Sequence, residues 1–347
     1  MRRRTLLILG GAAAATITAA VLLAPEDAER GTLPGSEGEL AFPGLASRLA
    51  GAERIELKKP DATLVLERHG EVWVLPEKGG YPVRPERVRE MLVGLTELRL
   101  AERRTADPEQ FDRLGLSDPA KQGSTALLLR VLDGAGTPLA ELVVGRRRVR
   151  TQGDVPESVY VRRPSETQTW LAEGRLPVDA DAQLWIDRDI ANLPSSRIQR
   201  LEVRREGEPP LILARTEGAE AKLAIVEPAE APPADEVALD EIGRAFEYLT
   251  FVDVKPEAEI PGTALGEGRF GLTEDLAITV FPHKSGDTLW IRLKAEAGPQ
   301  GEEEAERLNT RWSGWAYQVG SWKEKAFVPR LEDLKEREAP APPPTPR

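Results

Sequence analysis

The sequence predicts an α+β fold: two tandem repeats of an antiparallel sheet packed against one main helix, after an N-terminal transmembrane helix. Three observations carry this. A six-residue motif recurs, Arg113-Leu114-Gly115-Leu116-Ser117-Asp118 and Arg269-Phe270-Gly271-Leu272-Thr273-Glu274, 156 residues apart. Upstream of each copy lies an amphipathic segment of the same register: Val88, Met91, Leu95 and Leu98, then Leu239, Ile242, Phe246 and Leu249, all 151 residues apart. Short runs of alternating apolar residues bracket both segments.

The elements follow in order. The chain opens Met1-Arg2-Arg3-Arg4, and an uncharged, mostly apolar run of 20 residues extends from Thr5 to Ala24. As a helix it would reach about 30 Å, one hydrocarbon core. A secretory apolar region is shorter, roughly 7 to 15 residues. Cleavage after Ala24 meets Pro25, and cleavage after Ala28 puts Glu26 where a small residue is wanted. Residues 1–24 therefore read as a retained signal-anchor. A cleaved signal peptide and a buried soluble helix are the competing readings. The arginines belong in the cytoplasm, which places the rest in the periplasm of a bacterium, anchored in the inner membrane by a single pass.

Residues 25–45, rich in Pro, Gly and Glu, read as a linker. The first repeat spans 46–178. Arg54–Leu57, Leu64–Leu66 and Val72–Leu75 are expected strands, with a turn at His69-Gly70. Pro85 suits the first turn of the helix that follows. Ala126–Leu132 and Leu139–Val144 flank a turn at Asp133-Gly134. Residues 179–194 join the repeats. The second repeat, 195–335, runs through Ile198–Val203, Leu211–Leu213 and Leu223–Val226, a helix after Pro232-Pro233, and strands Ala277–Phe281 and Leu289–Leu293. Each repeat reads β-β-β-α-β-β-β, then a short helix or strand in which Tyr160 pairs with Tyr317 and Trp170 with Phe327. Residues 336–347 end in APAPPPTPR, a Pro-rich tail that cannot form a packed element.

Composition narrows the chemistry. A net charge of −11 repels phosphate backbones, so nucleic acid is not an expected partner. Without cysteine there is no disulfide, thiolate nucleophile or thiolate-bound metal. The two histidines, His69 and His283, fall in an expected turn and an expected hairpin loop. No nucleophile elbow, phosphate-binding loop or zinc-binding His-Glu-x-x-His motif occurs. Asp179, Asp181, Asp187 and Asp189 are spaced closely enough to consider calcium or acid–base work, but they lack the turn glycine and closing glutamate of a calcium loop. A solvated connection is the simpler reading. Glu302-Glu303-Glu304 with Glu306 reads as a charged loop. Trp312, Trp315 and Trp322 are candidate partner or glycan contacts, against the alternative that Trp315 and Tyr317 face a sheet core. Gly115, Leu116, Gly271 and Leu272 are expected to be structural, each glycine supplying a positive φ or a close approach and each leucine plugging the core. No catalytic, cofactor-binding or metal-binding residue is assigned.

Several stretches resemble a bacterial domain-of-unknown-function family encoded beside gliding-motility-type ABC transporters. They are the N-terminal anchor, Trp73 and Tyr81-Pro82 before the helix, Arg-Leu-Gly-Leu-Ser-Asp-Pro at 113–119, Val143-Val144-Gly145 and Val159-Tyr160-Val161. The similarity covers roughly 50–335 and is closer in the first repeat, since the second has Asp275 where a proline is expected and lacks the Val-Gly ending. The resemblance implies a non-enzymatic, membrane-anchored accessory subunit of an ABC-type export or cell-envelope system, bound to the transporter permease or an auxiliary subunit. A periplasmic glycan- or lipid-binding protein is the alternative, and a carboxylate-dependent hydrolase the third reading.

Overall fold

Alternation of side chains decides the architecture. Along Ala52–Lys58 the first, fourth and sixth residues (Ala52, Ile55, Leu57) are buried, and along Ile198–Arg204 the same places (Ile198, Leu201, Val203) are buried. Period-two burial is the mark of a strand with one face on a core. The computed structural model describes residues 38–148, 157–217 and 221–335. They form antiparallel sheets with a few short helices.

The first sheet is built from β1 (Ala52–Lys58), β2 (Thr63–His69), β3 (Val72–Leu75), β4 (Tyr81–Pro82), β5 (Arg99–Arg103), β6 (Leu127–Asp133), β7 (Pro138–Arg148), β8 (Ser158–Arg162) and β9 (Trp170–Glu173). Its strand order is β4-β3-β2-β1-β6-β7-β8-β9-β5. The helices in this part are α1 (Leu45–Arg48), α2 (Pro85–Glu97) and α3 (Phe111–Leu114). Proline at the first position of α2 loses no hydrogen bond, because that N–H has no partner within the helix. Met91, Leu95 and Leu98 are fully buried at helical spacing. The segment read as linker is packed from Leu40, which bridges Arg99, to a fully buried Leu45.

After a two-stranded ribbon of β10 (Asp189–Ala191) with β14 (Leu249–Thr250), the second large sheet takes β11 (Ile198–Arg204), β12 (Leu211–Arg215), β13 (Leu223–Glu227), β15 (Asp253–Pro256), β17 (Glu267–Leu272), β18 (Leu276–Ser285), β19 (Thr288–Ala297) and β20 (Trp315–Val319). Its order is β13-β12-β11-β17-β18-β19-β20-β15, with β16 (Thr263–Ala264) on β18. The helices are α4 (Glu236–Gly243), α5 (Glu302–Trp312) and α6 (Glu324–Phe327). Phe246, Phe270 and Phe327 meet with ring centroids 4.8 to 6.4 Å apart and form the aromatic centre of this core.

Eight strands of the first sheet, from β3 to β5, run in the order of the eight strands of the second, from β13 to β15. The register of β1 on β6 shifts between Ala52 and Arg54, and that of β11 on β17 shifts between Ile198 and Arg200. On this correspondence Gly271, opposite Arg200, takes the place of Leu132, opposite Arg54. It does not take the place of Gly115, which caps α3. The two six-residue motifs therefore occupy different local structures. The pairing of Tyr160 with Tyr317 shifts for the same reason: Tyr160 lies on β8 and Tyr317 on β20, whose counterpart in strand order is β9.

Other elements also differ from expectation. The acidic run 302–306 is not a loop but the first turns of α5, where three glutamates face the positive end of the helix dipole. The second amphipathic segment is helical only to Gly243, with Phe246 beyond it and Leu249 on β14. The stretch 179–194 is packed, with Trp185, Ile186 and Ile190 all buried. His283 lies within β18 opposite Trp290, not in a hairpin loop.

Among the described residues no helix is long and apolar enough to cross a membrane. The run Thr5–Ala24 and the tail 336–347 lie outside the described residues. The chain divides into two compact units. Of the described residues, the first holds those up to Leu64 together with those of Arg89–Ala180, and the second holds Val65–Val88 together with those from Asp181 onward.

Candidate groove at a sheet edge

Strand β13 is the last strand of the second sheet, so one side of its backbone faces no further strand among the described residues. Helix α4 lies beside it. The N-cap of α4 is Asp235, whose carboxylate accepts from Val237 N at 2.9 Å. The backbone of Asp235 donates to Leu334 O at 2.8 Å, and Ala234 bridges Lys335, so the last described segment fixes where the helix starts.

Between helix and strand runs a groove of about 590 Å³, a size typical of ligand sites. Lys222 and the first three residues of β13, Leu223, Ala224 and Ile225, line it. Arg215 of β12 and Ser195, just before β11, also line it, so the groove extends inward from β13. The helix contributes Glu236, Leu239, Asp240 and Gly243, one stripe at helical spacing. Ala229, Ala231, Pro232 and Ala234 add small side chains that leave the space open. Val226 on β13 and Val237 on α4 are 48 % and 68 % exposed.

The charges of the groove are arranged unevenly. Lys222 donates to Glu236 at 3.0 Å, and Asp240 pairs with Arg244 at 3.2 Å. Arg215 instead donates only to backbone carbonyls: Nε to Ile198 O at 2.8 Å, one terminal nitrogen to Ala221 O at 2.8 Å and the other to Ser195 O at 2.7 Å. No carboxylate lies within ion-pair distance of it among the described residues.

The residues singled out by sequence fall elsewhere. Trp312 is 1 % exposed and its indole N–H donates to Ile190 O at 3.0 Å, which makes it a core residue. Trp315 is half-buried, edge-on to Tyr81 at 4.9 Å. Trp322 alone is exposed, at 63 %, with Lys323 Nζ 4.7 Å from its ring centre. The three therefore form no common exposed platform for a sugar. Gly115 closes α3 with φ of 69°, and Leu116 is fully buried with Phe111, Ala126 and Val143. Arg162 lies over the Phe111 ring and donates to Leu116 O at 2.9 Å, so this motif is tied into the fold. Gly271 sits in β17 with Leu272 buried beside it, and no positive φ occurs there.

Three of the four aspartates have a local role and none joins another in a common site. Asp179 accepts from Lys59 at 3.0 Å, Asp181 caps a short helical turn at Gln183 N, Asp187 pairs with Arg311, and Asp189 lies exposed on β10. Among the described residues no three His, Asp or Glu side chains are grouped to hold a metal ion. His69 is exposed near Glu67. Burial, and then the charge of Arg292, lowers the pKa of His283. Glu304 accepts both terminal nitrogens of Arg197, at 2.9 and 2.7 Å, and the bond to that guanidinium holds its carboxyl below the usual range.

Strand β13 is foreseeable, since Leu223–Val226 is a short apolar run with β-branched residues; its position at an edge is not. The only local sign of the groove is the run Pro228-Ala229-Glu230-Ala231-Pro232-Pro233-Ala234, too short in side chain to fill the space beside a helix. No curated protein and no solved structure matches the chain. One family model does, Domain of unknown function (DUF4340), over residues 73–267. That span is more than half of the chain and includes strand β13 and helix α4, and the chain belongs to this family.

Proposed function

We propose that the chain is a membrane-anchored extracytoplasmic accessory subunit of an ABC-type export or cell-envelope system, non-enzymatic and acting by protein–protein binding. In this reading residues 5–24 span the inner membrane once and the remainder lies in the periplasm. Two tandem copies of one antiparallel-sheet unit form the body. The common strand order and the shared register shift support the tandem reading. The first apolar run and its arginines support the anchor.

The observation that carries the binding role is the groove between β13 and α4. A strand with one unpaired edge beside a helix offers main-chain hydrogen bonds for affinity and side-chain pockets for specificity. The occupant is an extended segment of the transporter permease or of an auxiliary subunit. Affinity purification of the tagged chain from detergent-solubilised membranes, with mass spectrometry, tests this. A permease or auxiliary subunit should co-purify with the wild-type chain and be lost with Leu239→Lys, which puts a charge into the groove wall. Retention of that subunit by the folded variant would refute the groove as the docking site.

A further inference from the structure

We propose that the chain's own segment 336–347 is the resident occupant of the groove, so that a partner docks by displacing it. The seat of this segment stands apart from the docking reading; its role as a competitor rests on that reading. The described chain ends beside the groove. Asp235 N donates to Leu334 O at 2.8 Å, and Ala234, which lines the groove, bridges Lys335. That bridge is antiparallel, so the chain leaving Lys335 is directed back past Pro233 toward Pro232 and Ala231, two further lining residues. Twelve residues follow Lys335, and eight of them, Ala339 to Pro346, are uncharged Ala, Pro and Thr. As a polyproline helix, at about 3.1 Å per residue, those eight extend about 25 Å, against about 12 Å for the eight-residue helix α4. The groove has room for them, since Ala224, Ala229, Ala231, Ala234 and Gly243 put little side chain into the space. Charge agrees with this occupant. Arg215 and Lys222 against Glu236 and Asp240 sum to zero along the groove, and Arg337 and Arg347 against Glu336 and Glu338 sum to zero in the segment. Long-range attraction therefore selects neither an acidic nor a basic ligand, and a neutral segment held close by its own chain is favoured. Proline fixes φ, so seating this segment costs less conformational entropy than seating a glycine-rich one. The join at Lys335 raises its effective concentration at the groove to the millimolar range. A run that forms no packed element alone can thus cover walls already built.

The chain has no cysteine, so introduced pairs report proximity without background. In the full chain in detergent micelles, Glu338→Cys is combined with Ala231→Cys, and Ala341→Cys with Leu239→Cys. Continued from the bridge, Glu338 falls opposite Ala231, and opposed strand residues lie about 4.5–5.5 Å apart, within the Cα range a disulfide spans. Under mild oxidation each pair should close an internal disulfide at least about tenfold faster than the same tail substitution paired with Val93→Cys on α2. Ala231 lies outside the helix, so the first pair remains readable should Leu239→Cys loosen α4. Rates equal to those with Val93→Cys, or no internal disulfide in either groove pair, overturn the proposal. Co-purification from solubilised membranes is followed in parallel with the chain truncated after Lys335. Removing the segment should raise recovery of the transporter subunit at least about threefold; unchanged recovery overturns the competition. If the subunit depends on the groove but no groove disulfide forms, the proposal falls and the docking reading stands. If the disulfides form but no transporter subunit co-purifies, the seat of the segment stands, and the docking reading falls together with the competitor role.

Discussion

Two glycines that look equivalent in sequence should respond in opposite directions to alanine. Gly115 has φ of 69°, and a Cβ built there meets Arg146 Cγ at 3.0 Å, Thr125 Oγ1 at 3.1 Å and Arg146 N at 3.2 Å. The left-handed conformation costs an L-residue roughly 1–2 kcal/mol, and the three close atoms add to it, since one is backbone and cannot swing away. Gly115→Ala should therefore destabilise by about 2 kcal/mol. Gly271 lies in β17 without a positive φ, and the nearest atom to its Cβ is Arg200 Cβ at 3.6 Å, an ordinary contact. Alanine in a strand interior recovers about 0.5–1 kcal/mol of backbone entropy, so Gly271→Ala should be neutral or stabilising. Urea unfolding of the full chain in detergent, followed by tryptophan fluorescence, measures both. Losses of equal size in the two variants would refute the assignment of different roles and restore the motif as a true repeat.

Further outcomes follow from the same geometry. Leu116→Ala empties a fully buried site among Phe111, Ala126 and Val143 and should cost roughly 2–5 kcal/mol; an unchanged melting temperature would contradict that packing. Lys323 is buried, with Nζ donating to Ala245 O at 2.8 Å, and burial pushes its amine down to about 8. The unfolded chain holds this proton up to about pH 10.4, so between those values the unfolded state binds more protons. Stability gained from this group should therefore rise as pH increases through that window, by at most about 3 kcal/mol. Lys323→Met should remove the rise, and an unaltered pH profile would show that Lys323 is not the source. Gly94→Ala should destabilise α2, because a Cβ there falls 2.1 Å from Arg175 O; thermal melts report it. Fractionation of tagged cells should place the chain in the inner membrane with an intact N-terminus, whereas soluble protein beginning near residue 25 would refute the anchor.

Strands were legible wherever apolar residues alternate, as in β1, β11, β18 and β19, because a sheet with one buried face imposes that period directly. The helix α2 was legible for the analogous reason. Helix α5 was not, since its opening Glu302-Glu303-Glu304 looks like solvated loop until Ala305, Leu308 and Trp312 are seen as one buried stripe. The motif match between Gly115 and Gly271 misled, because glycine is tolerated both at a left-handed cap and inside a strand, and identity of residue type does not report φ. Trp312 is a candidate contact in the sequence, but its N–H has a buried carbonyl partner, a pairing that only tertiary structure supplies. Beyond the short side chains of 228–234 the groove was not legible: its walls come from Leu223–Ile225 and from Glu236–Gly243, and nothing local marks β13 as the last strand of its sheet.

Photo-crosslinking in living cells tests the docking claim most directly. A benzoylphenylalanine at Val226 or Val237, exposed residues of the strand and helix that flank the groove, should form an adduct with an ABC transporter permease or auxiliary subunit. The same probe at Val93, 44 % exposed on α2, should form none. Adducts with that subunit from Val93 but from neither groove position would contradict the account.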